Sequence, residues 1–278
     1  MKSALALVTR ILVCVVFLLL SVVMLLPFLV MIFATLREPL DIVKRGAIAL
    51  PEVWRFTTIR DVFTQYRFGL YLLNTIIVTV PTVAAALAMA ILSAFALAVM
   101  DFRWKRLVIV LVTVIAVMIS EEFIMIPLFQ MQRFFGITNT FFAVILPQVA
   151  MSAAFATLII RSFFLGLPRE MADAAMEDGA SSWQILWKIY VPLSGPPILT
   201  AATLTTTWTW NDYIIPLVML SSTSKATLPL GLVLFRGAHT IDIPLTMAGT
   251  LVTALPMLLL FVIFQRNFVQ GLTQGVLK

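Results

Sequence analysis

The stretch Asp-Ala-Ala-Met-Glu-Asp-Gly at residues 173–179 is followed, after a spacer of nine residues, by Ile-Tyr-Val-Pro at residues 189–192. Both stretches lie in a polar segment, residues 167–192, that separates two long apolar runs. A plain connection between two apolar helices needs no such segment. Its residue types suit a short helix that lies against a cytosolic partner, and Ala174 and Ala175 offer small side chains that allow close approach. We therefore expect the segment to pass movement from that partner to the apolar helices.

The same segment carries signals for a helix, a glycine turn and a second helix. Pro168 stands where the first turn of a helix tolerates proline, because the N–H there has no intrahelical partner. Gly179 can adopt the left-handed conformation that ends a helix. Ser181 and Gln184 have the spacing of a capping box, which starts the second helix, and Pro192 is expected to end it.

The composition is that of a membrane protein. Hydrophobic residues make up 62% of the chain and charged residues 12%, and the mean hydropathy is +1.07. Soluble globular domains are far more polar. Apolar runs near or above about 18 residues recur, and each can cross a hydrocarbon core about 30 Å thick. Such spans must be helical, because every backbone polar group in lipid needs an internal partner. The fold class is therefore an all-α integral membrane protein.

Six transmembrane helices are predicted. Their approximate bounds are Ile11–Leu36, Leu70–Val99, Leu107–Phe129, Thr140–Phe164, Gly195–Leu220 and Pro244–Phe264. The first is too long for the core of a cleaved signal peptide and should remain in the membrane. Cys14 is the only cysteine, so one chain can form neither a disulfide nor a cysteine metal site.

Charge decides the orientation only weakly. The 19 Lys and Arg residues divide almost equally between the two faces, so the positive-inside rule gives little help. The tight basic turn at residues 103–106 favours a cytosolic position for that face and for both chain termini. The formal net charge of +6 does not indicate nucleic-acid binding, because no basic stripe interleaves with exposed aromatic residues.

The polar stretch resembles the "EAA" signature of permease subunits in bacterial ABC importers. That signature is Glu-Ala-Ala, three residues, Gly, nine residues, Ile, one residue and Leu-Pro. In this chain Asp173 stands for the glutamate and Val191 for the leucine, and the intervals from Gly179 to Ile189 and from Ile189 to Pro192 match in full. Two landmarks at a fixed separation make a specific signal; the alternative is an ordinary amphipathic connecting helix.

Further stretches narrow the resemblance to carbohydrate-uptake permeases of the MalG type. They cover much of residues 70–278 and are Ile126–Phe129, Phe135–Thr140, Ile145–Pro147, Trp210–Tyr213 with Pro216-Leu217, and Phe264–Thr273. The resemblance implies the type I ABC importer permease fold and a single transmembrane domain, residues 1–278. It also implies a multi-pass protein of the bacterial or archaeal cytoplasmic membrane that forms half of a sugar pathway.

The resemblance also implies partners and functional residues. A second, homologous permease subunit would complete the pathway, two copies of a cytosolic ATPase would drive it, and an extracytoplasmic solute-binding protein would deliver sugar. ATP and Mg²⁺ would bind the ATPase, so this chain would bind no cofactor. The residues expected to couple to the ATPase are Asp173, Ala174, Ala175, Asp178, Gly179, Ile189 and Pro192.

The chain carries no pattern typical of an enzyme. His239 is the only histidine, no metal-ligand spacing occurs, and no Gly-rich Walker loop is present. We interpret His239 as a solvated loop residue and the segment 37–69 as a folded outer cap. A secondary transporter would need midplane ion sites at broken helices within repeats, and none is evident. An ABC permease for glycerol phosphate or another polyol remains the alternative.

Polar side chains inside the predicted spans suggest a solute pathway, because burying them in lipid is costly unless they face a cavity or a partner. At about 1.5 Å per residue, several of them reach one depth in the outer half. The candidates are Asn74, Glu121, Glu122, Gln148, Asn211 and Asp212. The two glutamates point about 100° apart and cannot both face one cavity. Asn211 could instead bind a neighbouring helix, and the partner permease could hold most of the sugar contacts.

Overall fold

The computed structural model describes residues 2–46, 49–233 and 242–276, with side chains described from residue 9 to residue 265 within those ranges. His239 lies outside the described residues. Within these ranges every regular element is helical, which confirms the predicted all-α class. The α-helices are α1 Lys2–Thr35, α2 Pro39–Arg45, α3 Thr57–Thr64, α4 Phe68–Ala98, α5 Lys105–Met118, α6 Glu121–Phe134, α7 Phe141–Phe164, α8 Glu170–Glu177, α9 Ser182–Ile185, α10 Val191–Leu193, α11 Gly195–Asn211, α12 Ile214–Met219, α13 Leu228–Val233 and α14 Ile243–Val276. A π-helical turn at Leu186–Tyr190 joins α9 to α10.

Four described helices are long and apolar enough to cross a membrane. They contain the stretches Thr9–Thr35, Phe68–Ala98, Phe141–Phe164 and Ile243–Gln265. These match the first, second, fourth and sixth predicted spans. In the first stretch no part of the most apolar window is buried inside the chain, as expected for a helix that packs against lipid or a partner.

The third predicted span is not one helix. The chain breaks after Met118, and α5 and α6 meet at 105°. Ile119 and Ser120 have extended ψ angles of 111° and 144°. Ser120 takes the N-cap position of α6, and two glutamates occupy its first turn. These are helix-start signals, and here they override the continuous apolar pattern. The pair of helices counts as one broken span or as a re-entrant loop.

The fifth predicted span is also divided. Helix α11 ends at Asn211, and Asp212 is extended with ψ of 127°. Its carboxylate accepts backbone N–H groups from Ile214 at 2.9 Å and Ile215 at 3.3 Å, so it starts α12. The prediction of one continuous helix for the third span and one for the fifth span was therefore wrong. The described chain supports four crossings, or five with the bent pair, and six remains a prediction.

The chain divides into two compact units, Met1–Phe68 with Leu232–Ala254 and Gly69–Gly231 with Leu255–Lys278. In the first unit the segment after α1 is folded around Arg37. Its side chain is completely buried and donates to the Asp41 carboxylate at 2.7 Å and to the Gly46 carbonyl at 2.7 Å. The hydrogen bond from Arg37 lowers the pKa of the Asp41 carboxyl.

The second unit is built on two buried clusters. One joins α4 and α7 to the 167–192 segment, and Tyr190 is one of its largest buried side chains. The other joins α4, α6, α7 and α12. Both candidate sites described below lie within this unit.

Candidate functional site

The turn in the 167–192 segment has the predicted geometry. Gly179 has φ of +82°, in the left-handed region. The N–H groups of Gly179 and Ala180 donate to the carbonyls of Met176 and Ala175 at 3.0 and 2.9 Å, the pattern of a Schellman motif. Helix α8 thus ends in a fixed turn.

The second helix also starts as predicted. The Ser181 hydroxyl accepts the Gln184 N–H at 3.3 Å, and the Gln184 side-chain oxygen accepts the Ser181 N–H at 2.8 Å. The end of this second helix differs from the prediction. Pro192 does not stop the helix, which continues to Leu193. Before the proline the chain widens into the π-helical turn, where Val191 N–H donates to the Leu186 carbonyl. A π turn shifts the backbone bonds and so accommodates a residue without an N–H.

Tyr190 fixes this segment to the membrane helices. Its ring makes edge-on contacts with Phe95 of α4 at 5.3 Å and with Phe164 of α7 at 5.1 Å between centroids. Only 2% of the residue is exposed, and burial raises the pKa of its hydroxyl. A displacement of the segment must therefore move α4 and α7 or break these contacts.

The side chains of the expected coupling residues face two directions. Asp173, Ala174 and Asp178 are exposed. Ala175 and Ile189 instead pack against the chain's own buried cluster. The prediction that Ala174 and Ala175 together form an outward small-residue face is therefore wrong for Ala175. Because α8 turns about 100° per residue, adjacent residues cannot share one narrow face.

An exposed aromatic pair on the 167–192 segment was not predicted from the sequence. Trp183 and Trp187 are 61% and 44% exposed, and their rings meet at 5.6 Å. Their spacing of four residues was the available signal, because residues four apart lie on one helix face. The same segment carries a groove of about 340 Å³ lined by Asp178, Gly179, Ala180, Gln184, Ile185, Lys188 and Ile189.

A second candidate site is a cavity of about 270 Å³ between the broken helices. Its lining residues come from α5, the start of α6, the middle of α7 and the end of α11. They are Ile115, Ala116, Glu121, Gln148, Met151, Ser152, Phe155, Trp208, Thr209 and Asp212. The volume is just below the usual range for small-molecule pockets, about 300–1,000 Å³.

Three of the six predicted pathway residues meet in this cavity: Glu121, Gln148 and Asp212. The Gln148 side-chain amide donates to Asp212 Oδ2, while Asp212 Oδ1 accepts the two backbone N–H groups at the start of α12. Asp212 is therefore held in place from both sides. Glu121 makes no hydrogen bond to another described residue, so its carboxyl group is available to a ligand.

The other three predicted residues lie elsewhere. Glu122 is exposed beside Ser120 and does not line the cavity, as the predicted angular separation from Glu121 requires. Asn211 is exposed and donates to the Thr207 carbonyl of its own helix at 2.8 Å. Asn74 is buried and donates to the carbonyls of Ser224 and Ala226, both at 2.9 Å. Its amide hydrogens thus hold a distant loop and are not available to a solute.

Sequence reasoning missed several lining residues. Gln148, Ser152 and Phe155 follow the i, i+4, i+7 pattern of one helix face, so the first could have led to the other two. Phe155 meets Trp208 of α11 edge-on at 4.7 Å between ring centroids. The cavity lining thus combines aromatic rings with polar groups.

A family model described as "Binding-protein-dependent transport system inner membrane component" matches residues 86–273. Among curated relatives, the arabinooligosaccharides transport system permease protein AraQ of Halalkalibacterium halodurans is 34% identical over 255 residues, covering 91% of this chain and 90% of AraQ. The trehalose transport system permease protein SugB of Mycobacterium tuberculosis is 32% identical, covering 89% and 90%.

A solved structure shares the fold. A chain from a bacterial ABC transporter involved in the import of the acidic polysaccharide alginate aligns with a TM-score of 0.78 and 21% identity, covering 94% of this chain and 96% of that one. The structural likeness extends over both compact units of the sequence.

Proposed function

Since this chain belongs to the family of binding-protein-dependent transport system inner membrane components, we propose that it is the permease subunit of an ATP-driven saccharide importer. The observation that carries the proposal is the match over about nine-tenths of the chain to relatives named as oligosaccharide and disaccharide permeases. Relatives of that kind do not favour glycerol phosphate or another polyol as the solute. The chain acts as a transport subunit and not as an enzyme.

The proposed assembly contains four further polypeptides. A homologous permease completes the pathway, two ATPase subunits bind ATP and Mg²⁺, and an extracytoplasmic binding protein delivers the solute. The chain crosses the cytoplasmic membrane several times in a single domain, with both termini in the cytosol. The bent α5–α6 pair and the broken α11–α12 pair make up the third and fifth of six passages.

The 167–192 segment is the proposed contact with the ATPase. Asp173, Ala174 and Asp178 are exposed on its surface. The turn at Gly179 and the buried ring of Tyr190 make the segment a fixed extension of α4 and α7. When ATP brings the two ATPase subunits together, the segment moves with them. Nucleotide can drive transport in this way only if it stabilises one arrangement of the helices more than the other.

The solute pathway is proposed to include the cavity lined by Glu121, Gln148 and Asp212. Its position between two broken helices supports this, because irregular backbone at membrane depth is tolerated where it lines a cavity or is buried in protein. Asn211 and Glu122 are exposed outside this cavity, and Asn74 is bound to loop carbonyls, so none of the three is assigned to the cavity.

Reconstitution tests the proposal. The chain is purified with its companion subunits, which mass spectrometry identifies, and the complex is placed in liposomes with the binding protein. We expect the binding protein and ATP together to drive uptake of an arabino-oligosaccharide or trehalose. ATP-independent uptake driven by an ion gradient would refute the assignment, and uptake of glycerol phosphate but no saccharide would support the alternative.

A further inference from the structure

Two buried residues that line the cavity between α5, α6, α7 and α11 each have a side-chain oxygen without a hydrogen-bond partner in the described chain. Gln148 and Thr209 are only 4% and 5% exposed, yet Gln148 Oε1 and Thr209 Oγ1 have no hydrogen-bond partner in the described chain. Buried polar atoms without a partner are rare and costly in native proteins. Both residues line the cavity, and the hydroxyl donors of a ligand would pair with these two oxygens after rotation of the side chains, because both atoms are covered in this structure.

The described lining contains two carboxyl groups, on Glu121 and Asp212, and no lysine or arginine. Proteins recognise carboxylates, sulfonates and phosphates chiefly with arginine, lysine or the N-terminus of a helix. Helix α6 does begin here, but the two glutamates in its own first turn already complement its positive end. An anionic ligand would therefore find two acidic groups and no counter-charge.

The apolar part of the lining suits the face of a sugar ring. Trp208 and Phe155 pack edge-on, and Met151 lies on the same face of α7 one turn before Phe155. A ligand that presents hydroxyls on its rim and C–H groups on its face would contact both the polar and the apolar residues of the lining.

We propose that this cavity binds an uncharged polyhydroxylated ring, such as a neutral pyranose or furanose unit, and discriminates against sugar units that carry a carboxylate or sulfonate. This proposal rests on the proposed function, because it makes the cavity a selective binding site on the transport pathway. Glu121 is the specificity-determining residue: its carboxyl has no hydrogen-bond partner in the described chain, whereas Asp212 is already held by Gln148 and by α12.

Two matched sugar probes test whether the cavity discriminates against a negatively charged ligand. Methyl β-D-glucopyranoside and methyl β-D-glucuronide differ only at C6, which is a hydroxymethyl group in one and a carboxylate in the other. Saturation-transfer NMR at pH 8 measures their binding to the purified complex in nanodiscs, without the binding protein. We expect the glucuronide to bind about tenfold more weakly or worse, equivalent to about 1.4 kcal/mol.

The variant Glu121→Gln keeps the shape of the side chain and removes its charge. It should reduce the discrimination several-fold while the glucoside still binds, which also shows that the protein is folded. Glu122→Gln is the matched control, because it removes the same charge one residue away from the cavity lining. Equal binding of the two probes to the wild type, no binding of either, or equal effects of the two variants would overturn the proposal. Failure of ATP-driven uptake with this binding pattern intact would instead refute the proposed function.

Discussion

Substitutions at Gly179 test whether the turn after α8 needs a left-handed residue. Its φ is +82°, and a Cβ added there would meet no atom within 4 Å. The cost of Gly179→Ala is therefore conformational and not steric, roughly 1–2 kcal/mol for a residue with a Cβ in this region. Gly179→Asn should cost less, because asparagine tolerates left-handed angles. Gly179→Pro should cost most, because proline fixes φ near −65° and removes the N–H that donates to Met176.

Hydrogen exchange of the backbone amides in residues 170–190 measures this cost directly. A loss of about 1–2 kcal/mol raises the population of the locally open state roughly 5–30-fold, and exchange should accelerate by that factor in Gly179→Ala. The expected order of exchange rates is wild type, Asn, Ala and Pro. Solute uptake by the reconstituted complex should fall in the same order.

Gly195→Ala is the matched control. A Cβ at Gly195 also meets no atom within 4 Å, but its φ is not positive and it begins α11. Alanine there should leave exchange in residues 170–190 unchanged, because its φ is not positive and any contact of the new Cβ with the following Pro196 is confined to the start of α11. If Gly179→Ala exchanged no faster than the wild type, the left-handed angle would not be what the turn requires. If exchange rose while uptake stayed normal, the turn would not carry the coupling.

Three further changes have distinct expected results. Tyr190→Ala should lower the free energy of unfolding by about 3–5 kcal/mol, and Tyr190→Phe by much less because it keeps both ring contacts; equal losses in thermal unfolding would refute the anchoring role. Gly231→Ala places a Cβ 2.4 Å from the Tyr71 ring and should destabilise by about 1–3 kcal/mol, with a smaller loss in a Tyr71→Ala background; additive losses would contradict this contact. In a cysteine-free background, an impermeant thiol reagent on intact cells should label a cysteine at Ser221 and not one at Ser181, and the reverse result would invert the proposed orientation.

Local chemistry made the 167–192 segment largely predictable from sequence. The Gly179 turn and the capping box of Ser181 and Gln184 each depend on residues within a few positions of one another, so their geometry follows from spacing. The direction of Ala175 was not predictable in this way. It depends on which face of α8 meets the buried cluster of α4 and α7, and that contact is set by distant parts of the chain.

The role of Asn74 shows the limit of an argument from depth. An amide side chain at membrane depth is costly unless it has a hydrogen-bond partner. The position of Asn74 along its helix gives its depth but does not identify that partner. The partners of Asn74 are carbonyls of Ser224 and Ala226, about 150 positions later in the chain. Pairing between groups so far apart in sequence is a property of the tertiary structure, and no local pattern in a single sequence indicates it.

The two helix breaks that the span predictions did not include and the cavity have one physical origin. Hydropathy averaged over a window hides a few polar residues, yet Ser120 and Asp212 start new helices inside apolar runs. Each break ends one helix before the next begins, and residues beside both breaks line the cavity. The carboxylate that starts α12 also borders that space, and Glu121 stands in the first turn of α6 beside it. A polar group at membrane depth requires either a partner or water, so it is found where the backbone departs from a continuous helix. In this chain, residues that interrupt the spans are therefore the first candidates for contact with the solute, and Glu121→Gln separates that role from a purely structural one.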